Sequence, residues 1–285
     1  MYQFPIGVML ESFRMETVPA IEKAASIGAK GIQMYATKGI HAPENMTAQD
    51  RRELLDIMKS NGLCFSALCG DLGKGFSHPE LNPALIEKSK RIVEMALDLE
   101  TNIVTTHIGV VPTDPSHPRY AIMQDACGEL AEFADSVGAH FAIETGPETS
   151  DVLRTFLDGL HSTGVGVNLD PANLVMVTGD DPVHAVHTLK DYIVHTHAKD
   201  GVLLKKTNPE IIYGVIPHPD DDLLKGPYFK EVPLGTGSVP FPAYLKALEE
   251  IGYKGFLTIE REVGSDPVSD IVLAADFLRD CIRKG

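Results

Sequence analysis

The chain has 285 residues, 44% of them hydrophobic and 23% charged, with 25 Lys plus Arg against 40 Asp plus Glu and a formal charge of −15. That balance repels polyphosphate backbones and argues against general nucleic-acid binding. No run approaches the ~20 consecutive apolar residues that a membrane span requires.

From the N-terminus onward, apolar runs of strand length alternate with helix-period segments, the pattern of βα units and a parallel sheet. The first run sits in MYQFPIGVML, which has no basic segment ahead of it and soon reaches Glu11 and Arg14. A secretory signal is therefore not expected, and a cytoplasmic location follows. Strands are predicted at about 4–10, 30–35, 63–69, 102–107, 140–145, 165–170, 192–198 and 255–260. Helices are predicted near 17–28, 47–61, 80–100, 117–138, 149–162, 180–190, 241–251 and 265–283. Thr47 before AQDRRELLDIM and the prolines Pro83, Pro182 and Pro242 mark helix openings. Gly28, Gly62, Gly138, Gly164 and Gly252 each follow a helical run and read as stops.

Eight βα pairs are the closing number of a (β/α)8 TIM barrel, whose roughly 250 residues suit this length, so one α/β domain over 1–285 is the expectation. A doubly wound open sheet would advertise a Gly-rich phosphate turn after its first strand. Here that strand runs into MLESFRMET, and no GxGxxG or GxxxxGK[ST] occurs. The stretch 201–240, rich in Gly and Pro with an acidic patch at Asp220, Asp221 and Asp222, exceeds an ordinary connection and reads as a functional loop or lid. Cys64, Cys69, Cys127 and Cys281 show no CxxC spacing and read as free thiols.

Four apolar runs of the second half, HFAIET, VGVNLD, YIVHTHAKD and FLTIERE, bring Glu144, Asp170, His197 and Glu260 to strand C-termini. In a parallel barrel those ends share one mouth, where such barrels keep their chemistry. Three carboxylates that close repel one another unless a cation sits between them, and a divalent metal is the simplest counter-charge. Oxygen ligands with a single nitrogen suit Mn, Mg, Co or Zn. His195 and His197 face the same side of an extended strand, and His197 is favoured as the ligand because it lies nearer the mouth. His107, ending VTTHIG, and Asn173 are candidates for substrate contacts, although Asn173 also fits a turn cap. Glu148, Lys199, Asp200 and Arg261 are further candidates, and Glu11, His41 and Asp71 follow the first three strands and could close the pocket.

AIETGPE, NLDPANL, HTHAKD and VPLGTGSVPFPAYLKALEEIGYKGFLTIERE resemble, in order and spacing, segments of the xylose-isomerase-like superfamily. The likeness is to its sugar phosphate isomerase/epimerase group, which contains ketose 3-epimerases, hydroxypyruvate isomerase and inosose dehydratase. The resemblance implies one divalent ion, commonly Mn, held by Glu144, Asp170, His197 and Glu260, with both glutamates also handling protons. It implies an isomerase or epimerase acting on a small carbohydrate, phosphorylated or not, through a cis-enediolate. A lyase of the inosose dehydratase kind and a non-catalytic binding barrel are the alternatives, and many relatives form dimers or tetramers. Apurinic-site endonucleases of the superfamily carry a histidine where this chain has Asn173, and none follows the third strand near Gly70. The epimerases carry a substrate-binding arginine where this chain has Leu203, which leaves the identity of the sugar open.

Overall fold

A parallel strand lying between an inner core and an outer layer of helices has no face left for water, so its residues are apolar on both sides. Every residue of β6 (Val165–Leu169) is buried for that reason. The computed structural model describes residues 1–218 and 226–285; the acidic patch at Asp220, Asp221 and Asp222 lies outside them. Eight strands form one closed parallel barrel: β1 (Ile6–Met9), β2 (Gly31–Tyr35), β3 (Cys64–Cys69), β4 (Ile103–Thr106), β5 (His140–Glu144), β6, β7 (Ile193–Ala198) and β10 (Leu257–Ile259). The ring closes where β1 pairs with β10, Ile6 opposite Leu257 and Val8 opposite Ile259. Each strand falls inside a run expected from the sequence.

Around the barrel lie α1 (Thr17–Ser26), α2 (Ala48–Ser60), α3 (Asn82–Asp98), α4 (Pro118–Ser136), α5 (Ser150–Asp158), the short α6 (Pro171–Asn173), α7 (Pro182–Thr188), the short α8 (Pro209–Ile212), α9 (Phe241–Glu250) and α10 (Pro267–Lys284). Thr47 opens α2 with a capping box: its Oγ1 accepts from Asp50 N at 3.2 Å, and the Asp50 carboxylate accepts from Thr47 N at 2.7 Å. Gly28, Gly62, Gly138 and Gly252 follow their helices in the left-handed region. Gly164 is a different case, because α5 has already ended at Asp158. A Cβ there would lie 2.1 Å from Ala131 O, so this glycine lets the chain pass against α4 on its way into β6.

The stretch expected to be irregular contains a hairpin. β8 (Asp200–Leu203) runs antiparallel to β9 (Phe229–Val232), with Gly201 opposite Glu231 and Leu203 opposite Phe229. Two devices fix it to the barrel. The buried Asp200 carboxylate accepts four backbone N–H groups, from Gly201 at 2.8 Å, Gly235 at 3.0 Å, Gly237 at 2.8 Å and Val239 at 3.1 Å. Arg261 donates to Glu231 on β9 and to Asp270 on α10, the latter at 2.8 Å. All four cysteines are free thiols. Among the described residues no helix is long and apolar enough to cross a membrane.

Candidate metal centre

Around the ring β10, β7, β6 and β5 are consecutive, so the residues at their C-terminal ends occupy one arc of the mouth. Glu144 closes β5, Asp170 follows β6, His197 lies near the end of β7 and Glu260 follows β10. One donor atom from each lies within 4.8 Å of the other three, and all four residues are buried. His197 Nδ1 is the pivot, 3.5 Å from Glu144 Oε1, 3.2 Å from Asp170 Oδ2 and 3.3 Å from Glu260 Oε2.

A layer of polar side chains inside the barrel sets the orientation of that imidazole. Gln33 Nε2 donates to Thr105 Oγ1 at 2.8 Å, which turns Gln33 Oε1 toward His197 Nε2 at 3.0 Å. With Gln33 Oε1 accepting from Nε2, and Asn168 Nδ2 also 3.2 Å from it, Nδ1 is left facing the three carboxylates, protonated until an ion takes its place. Asn168 Nδ2 donates to Glu144 Oε2 at 3.1 Å, and its Oδ1 faces His195 Nδ1 at 2.9 Å. His195 Nε2 in turn meets Thr258 Oγ1 at 2.9 Å. With both nitrogens engaged below the mouth, His195 is a barrel-interior residue and His197 is the histidine presented to the carboxylates. Gln33, Thr105 and Asn168 were not singled out from the sequence. A signal existed: each is a polar residue in a largely buried strand, and Asn168 shares a strand face with Asp170 two residues on.

Burial alone would depress the His197 imidazole, but Glu260 and Glu144 outweigh it and hold its pKa well above the usual range. Burial would raise the Glu260 carboxyl, but the Lys199 ammonium and His197 hold it well below the carboxylate range. Glu144 is lowered likewise, the imidazoles of His107 and His197 overriding its desolvation. Three carboxylate oxygens around one imidazole lone pair, with a second-layer acceptor fixing the far nitrogen, fit a single divalent ion of the hard-to-borderline class. Such an ion would compete with a proton for Nδ1.

A cavity of about 550 Å³ opens above the cluster. His107, Asn173 and Lys199 line it, as does Asp71 among the three residues that follow the early strands. His107 Nε2 lies 3.5 Å from Glu144 Oε1, and its Nδ1 is buried with no partner. Asn173 donates from Nδ2 to Glu144 Oε1 at 3.2 Å, while its backbone N donates to Asp170 Oδ1 at 2.8 Å, so Asp170 is the cap and the Asn173 side chain is free for the site contact. Lys199 Nζ sits 3.0 Å from Glu260 Oε2 and also contacts Glu262. Gly146, at φ +147°, lets the loop after β5 pass beneath Asn173 and Tyr213, where a Cβ would lie 2.8 Å from Asn173 Cβ.

Five residues expected at the pocket are placed elsewhere. Arg261 turns behind the cavity wall, held by Glu231 and Asp270, because a guanidinium beside two carboxylates finds its charge met there. Asp200 is spent on the four amides above. Glu11 accepts from Tyr35 N at 3.1 Å and His41 meets Thr17 Oγ1 at 3.2 Å, and neither lines the cavity. Glu148 is buried but lines a neighbouring cavity. Tyr213 and Phe229, which do line the metal-side cavity, come from the 201–240 stretch, where no periodic pattern marked them.

Residues 21–281 match the family model of the xylose isomerase-like TIM barrel. The chain belongs to that family. Among solved structures, a xylose isomerase domain protein from Planctomyces limnophilus superposes with a TM-score of 0.80 at 26% identity, covering 99% of this chain and 98% of the other. The probable 3-DHS dehydratase AsbF of Bacillus anthracis gives 0.74 at 18% identity over 97% and 99% of the two chains. D-Psicose 3-epimerase from Clostridium cellulolyticum H10 gives 0.73 at 16% identity over 98% and 99%. At such low identity the last two likenesses concern the xylose isomerase-like fold alone.

Proposed function

We propose that the protein moves a proton next to the carbonyl of a small sugar, as an isomerase or epimerase, with Glu144 and Glu260 as the proton-handling pair. The observation that carries this reading is their placement. They stand at the two ends of the β5–β6–β7–β10 arc, so a ligand seated over His197 meets one carboxylate from each side. Glu144, Asp170, His197 and Glu260 would hold one divalent ion, Mn ahead of Mg, Co or Zn. When bound, that ion supplies Lewis-acid stabilisation of negative charge on the carbonyl and adjacent hydroxyl oxygens.

Asp170 is the poorest candidate for a base, since Glu144 and Glu260 line the cavity and Asp170 does not. One of the two glutamates removes the carbon-bound proton, giving a cis-enediolate. Return of a proton by the other to the opposite face of the same carbon inverts it, and return to the neighbouring carbon isomerises the sugar. The Lys199 ammonium on Glu260 and the His107 imidazole beside Glu144 place one hydrogen-bonding group next to each base. His107, Asn173 and Lys199 are assigned to substrate contacts on the same grounds.

Glu144→Gln and Glu260→Gln are expected to lower solvent-deuterium incorporation into the turned-over ketose by about 10²–10⁴-fold, the usual worth of general acid–base catalysis, while the far-UV spectrum stays that of the parent. Undiminished exchange in both variants would end the proposal. Loss of one water from the product would move the reaction to the dehydratase class, which uses the same enolisation.

A further inference from the structure

A second cavity, of about 570 Å³, adjoins the metal-side one, and the Val177 side chain is a wall of both. Its other walls are the loops after β4 and β5 and residues 206–210, all at the same mouth of the barrel. We propose that this outer cavity is a binding subsite for a neutral, hydroxyl-rich group attached to the sugar held at the metal centre, with Glu148 and Arg119 as its recognition pair. The substrate class is then an extended ketose, such as a glycosylated one. The inference rests on the sugar-binding reading of the inner site.

The unmet hydrogen-bonding capacity is the first argument. Glu148 is buried, its Oε2 accepts from Val111 N at 3.2 Å, and its Oε1 is buried with no partner. Arg119 places one nitrogen on Glu210, while its Nε is buried and equally without a partner. Each such orphan costs about 1–3 kcal/mol, which a ligand able to pair with it would relieve. A hydroxyl is both donor and acceptor and so can serve both atoms. Burial pushes the Glu148 carboxyl up to about 8, so near neutrality it can give a hydrogen bond as well as take one.

Charge is the second argument. Glu210 meets Arg119, and the remaining wall sets Asp114 against Lys206, beside Glu148 and His117. Among the described residues no surplus of positive charge is aimed into the cavity, whereas a phosphate group calls for charge-assisted donors. The two spaces are also close neighbours: Val177 is common to both, and Glu148 is near enough for its charge to add to the burial that raises the Tyr213 phenol in the inner cavity.

The test compares D-fructose with turanose, maltulose and isomaltulose, which carry a glucosyl group on different hydroxyls of the same ketose, by calorimetry on the Mn²⁺-loaded protein. At least one disaccharide is expected to bind about tenfold more tightly than D-fructose, as one or two added hydrogen bonds would give. In Glu148→Leu, and separately in Thr207→Trp, which fills the outer cavity from its far wall, that ratio of dissociation constants should fall to near one. A ratio near one for every disaccharide in the parent overturns the proposal, as does a preserved ratio in either variant that melts like the parent. D-Fructose 6-phosphate binding more tightly than every neutral disaccharide overturns the neutral class. Absence of Mn²⁺ binding and of deuterium exchange would be a failure of the inner-site reading. A ratio of one with both intact is a failure of this one.

Discussion

β5, β6, β7 and β10 lead into Glu144, Asp170, His197 and Glu260, whereas β1, β2, β3 and β4 end in Met9, Tyr35, Cys69 and Thr106. The strands of one arc therefore lead into the four clustered groups, whereas those of the other end in neutral residues, with Asp71 and His107 following in the loops. The four clustered groups come from adjacent strands, so their like charges are neighbours and a shared cation would make them tolerable. The neutral arc acts across the barrel instead: Gln33 from β2, steadied by Thr105 from β4, fixes the His197 ring. Binding and orientation are thus supplied by opposite halves of one ring, and substitutions should separate them.

The largest separation is expected from the charged arc. Asp170→Ala should weaken Mn²⁺ binding by about a thousandfold in calorimetry, roughly one ligand's share of a four-ligand site. An affinity within a factor of a few of the parent would mean that the cluster is not the metal site. Glu148 offers a pH test beside that arc. Its carboxyl is raised from the ordinary range to about 8, so between those values the folded protein holds a proton that the unfolded chain has released. Stability from this group is present at low pH and is lost as pH rises from about 5 to about 8, by up to about 1.4 kcal/mol per pH unit. Glu148→Gln, which cannot ionise, should flatten that slope in urea titrations, and an unchanged slope would reassign it to other groups.

Gln33→Leu probes the neutral arc. Loss of the acceptor on His197 Nε2 should lower Mn²⁺ affinity about tenfold while leaving all four ligands in place. Equal loss in Gln33→Leu and Asp170→Ala would erase the distinction between orienting and binding. Thr47→Ala, at the cap of α2, is the control far from the mouth: about 1 kcal/mol of stability is expected to go, with metal affinity unaltered.

The eight strands and most helix limits were legible because each rests on local physics: apolar runs covered on both faces, a Thr–Asp capping box, glycines in the left-handed region. Glu144, Asp170, His197 and Glu260 were legible for a related reason, since each ends an apolar run. Arg261 was misread because its neighbour Glu260 faces the cluster, while its own partners, Glu231 and Asp270, lie 30 and 9 residues away in sequence. The β8–β9 hairpin escaped because its two short strands are stabilised by pairing with each other and by Asp200, and neither carries a period of its own.

By itself the sequence determined the alternation of strands and helices, their closing number and the side chains placed at strand ends, all of them consequences of backbone geometry and solvent exclusion over a few residues. Only the tertiary structure decided which histidine faces the carboxylates, that a polar layer spans the barrel beneath them, and that Lys199 rests on Glu260. Those outcomes depend on the direction of side chains brought together from distant segments, and direction is set by packing and hydrogen bonds across the ring.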